Sequence, residues 1–330
     1  MLAAARVAAA LGAAALVANA LAATTELAPE QKRGRALAIV TAGLTVATAL
    51  GVPLGAFVGA AAGWRATFAL VTAFGALATI GLARALPALE QPPPVGLGER
   101  LALVRQGPVL AALGVTTLAF VAGFTVYTYI SPIVQDAAPV GGEGVSALLL
   151  VFGAAAVLGN ALGGRGSDRH GPARTMAAGL IGMAIALAAL GLLAAAAPDP
   201  PALALLLTAL TVGLWAIAGW ALAVPVEHRL IALAPKAPAI ALALNASALY
   251  AGIALGGVVG GVALDSSSPA ALGFIGAAVA LLTVPLLAYS TRLATHTCGP
   301  RQRRKPAGCE PPCRGRASAS SRSCSFRARR

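Results

Sequence analysis

Residues 51–60 read GVPLGAFVGA and residues 252–261 read GIALGGVVGG. Each stretch has glycine at every fourth position, Gly51, Gly55 and Gly59 in the first and Gly252, Gly256 and Gly260 in the second, 201 positions apart. In a helix this spacing lines the glycines along one face, which another backbone can approach closely. Both ladders follow a short polar loop that begins Ala-Pro, at Ala28-Pro29 and at Ala234-Pro235. A ladder and a loop that recur together at one offset indicate two related halves, the construction of several membrane carriers whose site lies where the halves meet. Pro53 bends the first ladder helix, whereas the second has Ala254 at that place, so the two need not bend alike.

The composition around the ladders belongs to a membrane protein. Hydrophobic residues make up 58% of the chain and charged residues 11%. The charges bunch, leaving nine charge-free runs at 7–25, 37–63, 66–83, 106–135, 144–164, 175–198, 200–226, 237–264 and 266–291. A helix rises about 1.5 Å per residue, so roughly 20 residues cross a hydrocarbon core of about 30 Å. All nine runs are close to that length or longer. Helices satisfy their own backbone groups in lipid, and the abundant Ala and Gly let them pack closely. The expected fold class is therefore all-α, a polytopic membrane bundle.

Orientation follows from the basic residues. Alternate loops hold Lys32, Arg33 and Arg35; Arg84, Arg100 and Arg105; Arg165, Arg169 and Arg174; Arg229 and Lys236; and Arg292 with the tail. The intervening loops hold Arg65, Asp136, Glu143, Asp199 and Asp265. This pattern places the N-terminus outside and the C-terminus in the cytoplasm, in a cell (inner) membrane.

Nine spans do not divide into equal halves. The offset would put the partner of the span starting near 106 at about residue −95, so three helices of the pattern are expected ahead of Met1 and the chain reads as a fragment. The expected organisation is a partial N-terminal bundle at 1–83, a cytoplasmic linker of little fixed structure at 84–107, a six-helix bundle at 108–294, and a basic, disordered tail at 295–330. The linker holds Pro92, Pro93 and Pro94. The tail has ten Lys or Arg against one acid, and all four cysteines, Cys298, Cys309, Cys313 and Cys324. Their spacing lacks the paired pattern of a zinc site, and a reducing cytoplasm disfavours disulfides. The tail either touches anionic lipid or is the product of a frameshifted gene end.

With its spans, two-fold repeat and local motifs, the chain resembles the major facilitator superfamily over residues 1 to about 294, and within it the twelve-helix drug:proton antiporter and sugar-efflux branch. The spans then correspond to family helices 4 to 12. The family's loop motif G-x-x-x-D-R-x-G-R-R has a weaker copy in Gly164-x3-Asp168-Arg169-x-Gly171-x2-Arg174, where Pro172 and Ala173 replace the basic pair. There Gly164 and Gly171 are expected to make a tight turn, and Asp168 to sit at the start of the next helix and favour its positive end. The resemblance implies a gating role for this loop, where a plain reading is a short loop obeying the positive-inside rule. Gly43, Gly51, Pro53, Gly55 and Gly59 resemble the antiporter motif of family helix 5. Arg6, four residues after Leu2, resembles a helix 4 arginine linked to proton coupling, although Ala9 and Ala10 replace the Gln and Gly that should follow. An arginine at a span's edge also snorkels to the interface without further role.

The resemblance implies transport of a small solute by alternating access, with proton-coupled efflux of a drug, sugar or metabolite. An uncoupled facilitator and a non-functional remnant are the alternatives. Thr41, Thr45, Thr48, Tyr127, Asn160, Asn245 and Tyr250 are the polar residues inside spans that could line a path for a neutral solute, along with Trp215 and Trp220. Asn245 and Tyr127 come first, because Thr often bonds back to its own helix and Trp often marks the interface. The middle of each run has no ionisable side chain, so no proton carrier can be named. His170, His228 and His296 are scattered without ligand spacing, which argues against an enzyme or a metal site. The expected partners are a small solute, protons and the lipid bilayer, with no cofactor, no nucleic acid and a monomeric state.

Overall fold

A computed structural model describes residues 61–85, 97–196, 198–235 and 237–297, together with separate helical positions between 12 and 59. Its elements are α1 (Trp64–Ala85), α2 (Leu97–Val104), α3 (Gly107–Tyr127), α4 (Ile130–Ala137), α5 (Gly142–His170), α6 (Pro172–Ala196), α7 (Pro201–Trp220), α8 (Ala223–Leu233), α9 (Pro238–Ser266) and α10 (Pro269–Thr297). Seven helical segments are long and apolar enough to cross a membrane, and they coincide with the third to ninth charge-free runs. The first two runs fall largely outside the described residues.

Local sequence explains where the helices start and break. Proline opens α6, α7, α9 and α10 and occupies the first turn of α3, a place where its missing amide costs nothing. Gly171, at φ +84°, ends α5 and turns the chain into α6. Two crossings are interrupted. Pro132 and Pro225 lack the amides that would bond the carbonyls of Thr128 and Ala221, and α3 gives way to α4, and α7 to α8, at those points. Arg65 lies over the Trp64 ring, 4.6 Å from its centroid, at the start of α1.

Three expectations need correction. Gly164 and Asp168 are not in a turn: α5 continues to His170, so Asp168 lies in its last turn and Gly171 alone makes the bend. In the expected linker, Leu97–Val104 form a helix, with Leu103 buried in the core. Arg229, expected in a loop with Lys236, lies in a helix, because the helical segment that contains the seventh run carries on to Leu233 and takes in Glu227, His228 and Arg229.

Helices α3 to α10 share one core, which includes Leu180, Met183, Leu187, Leu190, Ile133 and Val126. The most extensive packing joins α3 to α9 and α10, α6 to α10, and α7 to α5 and α6. Glycine stands at most of these crossings. A Cβ on Gly252 would lie 2.5 Å from the Thr117 carbonyl oxygen, one on Gly256 3.0 Å from the backbone of Val121 and Thr125, and one on Gly260 2.6 Å from the Thr125 carbonyl oxygen. The second ladder is therefore seated on the Thr117, Val121, Thr125 row of α3. Gly159 and Gly163 meet the Ile217 and Ala221 backbones where α5 crosses α7, and Gly273 of α10 rests against Gly191 and Leu187 of α6. In the first ladder, Gly55 and Gly59 face Thr67 of α1, whose hydroxyl donates to the Gly55 carbonyl at 3.2 Å. Pro53 lies outside the described residues.

Replacing Gly252 or Gly256 with Ala should lower stability by about 1–3 kcal/mol through overpacking. Gly213→Ala should be neutral or slightly stabilising, since the nearest atom to a new Cβ there is Val151 Cγ1 at 3.7 Å. Reversible unfolding in mixed micelles checks this; equal effects at all three positions would remove the close-approach explanation.

Candidate functional site

The described bundle has three polar or aromatic zones at different depths. At the basic end, the Ser167 hydroxyl of α5 and Nδ1 of His228 on α8 are 3.3 Å apart. Beside them Arg229 is buried, donating from Nη2 to the Ser290 hydroxyl of α10 at 2.9 Å. Its Nη1 is buried without a hydrogen-bond partner among the described residues. These contacts tie α5, α8 and α10 together where the basic loops gather. Asp168, Arg169 and Arg174 are exposed at the same end, and Gly164 is half-buried with Val224 Cγ1 4.0 Å from where a Cβ would be.

At the opposite end a cavity of about 240 Å³ is lined by residues that include Gln135, Asp136, Pro139, Pro198 and Asp199. It lies between the end of α4 and the turn leading into α7.

Between the two ends, α3, α5 and α7 bring aromatic rings together. Phe120 and Phe124 stack along α3 at 5.9 Å, Phe124 meets Tyr127 at 5.3 Å, and Tyr127 meets Phe152 of α5 at 4.9 Å. Trp215 of α7 closes the group, edge-on to Phe152 at 4.9 Å and to Tyr127 at 6.2 Å. Trp215 and Phe152 are buried, whereas Phe120, Phe124 and Tyr127 are half-buried. The i, i+4, i+7 spacing of Phe120, Phe124 and Tyr127 was the available signal in the sequence. It was missed because phenylalanine at helical spacing is ordinary core material.

Asn245 lies deep in the α3–α9 contact, where its Oδ1 accepts the Thr116 hydroxyl at 2.8 Å. Thr117 donates to the Ala248 carbonyl at 3.1 Å and Tyr129 to the Gly257 carbonyl at 3.1 Å, so three interhelical bonds run beside the glycine ladder. Of the other polar candidates, Asn160 is half-buried next to the Gly159 contact, and Tyr250 is 54% exposed on α9. The structure thus brings Tyr127 together with Trp215 and joins Asn245 to α3, but does not gather Asn160 or Tyr250 with them. Thr41, Thr45, Thr48 and Arg6 lie outside the described residues.

Residues 1–228 match the family model described as Major Facilitator Superfamily. Two Bacillus subtilis proteins named as uncharacterized MFS-type transporters, YbcL and YtbD, are 30% and 34% identical to this chain. The matches cover 85% and 88% of this chain and 70% and 72% of theirs. A chloramphenicol resistance protein of Streptomyces lividans is 38% identical across 54% of this chain and 46% of its own length. Among solved structures, a bacterial homolog of the human lysosomal transporter Spinster, inward-facing and unoccupied, aligns at TM-score 0.50 and 15% identity, covering 83% of this chain and 72% of that one. At that identity the likeness concerns the fold alone.

A double-mutant cycle of Thr116→Val and Asn245→Ala should give a coupling of about 0.6 kcal/mol, with about 1.7 as the upper bound for such bonds in a membrane protein. Ser290→Ala should destabilise more than Arg229→Met, by roughly 1–3 kcal/mol, because it leaves a buried guanidinium without its acceptor. Unfolding in mixed micelles measures both; a coupling near zero would mean that Asn245 is not held by Thr116.

Proposed function

The chain belongs to the Major Facilitator Superfamily, and from that membership we propose that it exports a small solute in exchange for protons by alternating access. Membership makes it a multi-pass membrane protein of a transporter family, not an enzyme. The observation that carries the mechanism is the bundle of α3 to α10: its core is continuous, yet the ring-bearing strip of α3 at mid-depth remains half-exposed. A rigid half with an open, weakly polar face is what a rocking carrier requires around a central site.

In this reading Tyr127, Asn160, Asn245 and Tyr250 line the path together with Thr41, Thr45 and Thr48. Gly252, Gly256 and Gly260, with Gly51, Pro53, Gly55 and Gly59 in the first half, are the contacts on which helices slide and bend. The segment Gly164, Asp168, Arg169, Gly171 and Arg174 steadies one closed state from the basic end, and Arg6 contributes to proton coupling. The spans correspond to helices 4 to 12 of the twelve-helix antiporter pattern. The basic loops support an inner-membrane protein with a cytoplasmic C-terminus, working as a monomer. Export as the direction of transport is supported by the relative named as a chloramphenicol resistance protein.

The test is uptake of radiolabelled chloramphenicol by proteoliposomes, with the lumen acidified or held at the outside pH. Acidification should raise initial uptake several-fold over the equal-pH control and over protein-free vesicles. Equal uptake with and without the gradient would replace antiport by facilitation. Uptake no faster than in protein-free vesicles, for this solute and for a panel of sugars and other metabolites, would overturn transport by this chain.

A further inference from the structure

We infer that Phe124, Tyr127, Phe152 and Trp215 form a binding site for a neutral, planar aromatic group, a specificity that rests on the transport reading above and narrows its substrate class. The rings come from α3, α5 and α7, so their meeting is a property of the tertiary fold. Counting helical rise from the acidic end, they lie roughly 15–21 Å into the bundle, near mid-depth of a core about 30 Å thick.

Their mutual geometry suits a ring guest. Tyr127 contacts Phe124, Phe152 and Trp215 at centroid separations of 5.3, 4.9 and 6.2 Å, tilted or edge-on in every case. Tilted rings leave faces and edges of opposite partial charge turned toward the same space, which favours another aromatic ring over an aliphatic group of equal size. Burial is graded. Trp215 and Phe152 form a closed base, while Phe124 and Tyr127 remain half-buried above it, so the cluster has an accessible side.

The surroundings point to a neutral guest. The charge-free runs 106–135, 144–164 and 200–226 supply all of these residues, and the acids of α5, Glu143 and Asp168, stand at its two ends, so no carboxylate within these runs offsets the desolvation of a cation. Polar recognition comes from the phenol of Tyr127 and the indole N–H of Trp215, which suits a guest with one or two hydrogen-bonding substituents on its ring.

Trp215 reports on the site directly. In the full chain with Trp64→Phe and Trp220→Phe, it is the remaining tryptophan. Its fluorescence should be quenched saturably by 4-nitrobenzyl alcohol, and cyclohexylmethanol should not compete. Phe124→Leu and Phe152→Leu, which keep an apolar side chain of similar bulk, should each raise the half-saturating concentration about 3–10-fold. Two variants guard against a single misfolded protein. A parallel chain that retains Trp220 and carries Trp215→Phe should show only linear, non-saturating quenching.

Linear quenching of both tryptophans, or equal competition by cyclohexylmethanol, would overturn the site. So would a benzyltrimethylammonium probe competing more tightly than the neutral alcohol, since the guest would then be a cation. The two readings fail separately. Saturable quenching without flux in proteoliposomes would retain the aromatic site and reject transport, whereas flux without saturable quenching would do the reverse.

Discussion

Backbone-to-backbone contact at glycine is the constraint on which this bundle depends. In water, helices associate because burial removes apolar surface from solvent; in lipid that drive is absent, and close van der Waals fit must replace it. Gly252, Gly256 and Gly260 let α9 settle on the α3 backbone, Gly159 and Gly163 do the same for α5 on α7, and Gly273 for α10 on α6. A methyl group at any of these positions would stand 3.0 Å or less from a backbone atom of the facing helix. The contacts therefore set how near the helices come, and through that distance where every other side chain falls.

The polar contacts follow from this spacing. Because α9 lies so close to α3, the short side chain of Thr116 reaches Asn245, Thr117 reaches the Ala248 carbonyl and Tyr129 reaches the Gly257 carbonyl. Such bonds contribute little individually in a membrane, but each fixes the rotation and register of one helix on the other. Arg229 works at a different place. Buried at the basic end and bonded to Ser290, it ties α8 to α10 where an unpaired guanidinium would be costly.

The two broken crossings give this rigid bundle its irregular places. Pro132 and Pro225 leave gaps in the helical ladder at Thr128 and Ala221. The aromatic group lies close to both, since Tyr127 ends α3 and Trp215 stands less than two turns before the break in α7. A change in the angle between α3 and α4, or between α7 and α8, would thus act on the rings first. This links the prolines, which are plain in the sequence, to a zone that is not.

Spans three to nine were legible from the charge-free runs, and the glycine ladder as a contact face was legible from its spacing, because hydropathy and helical periodicity are local properties. The starts of α3, α6, α7, α9 and α10 were likewise written in their prolines. The sequence misled at Asp168, expected at the start of the next helix but lying in the last turn of α5, and at Arg229, expected in a loop but lying in α8. What it could not reveal was partner choice: that the Gly252 ladder covers Thr117 to Thr125, that Asn245 meets a threonine 129 positions away, or that Tyr127, Phe152 and Trp215 converge. Apolar faces are nearly interchangeable in lipid, so only the complementary shapes of whole helices decide which pairs come together. By itself the sequence determined an all-helical membrane chain with its crossings and a contact face; the tertiary structure decided which helices touch and which rings meet between them.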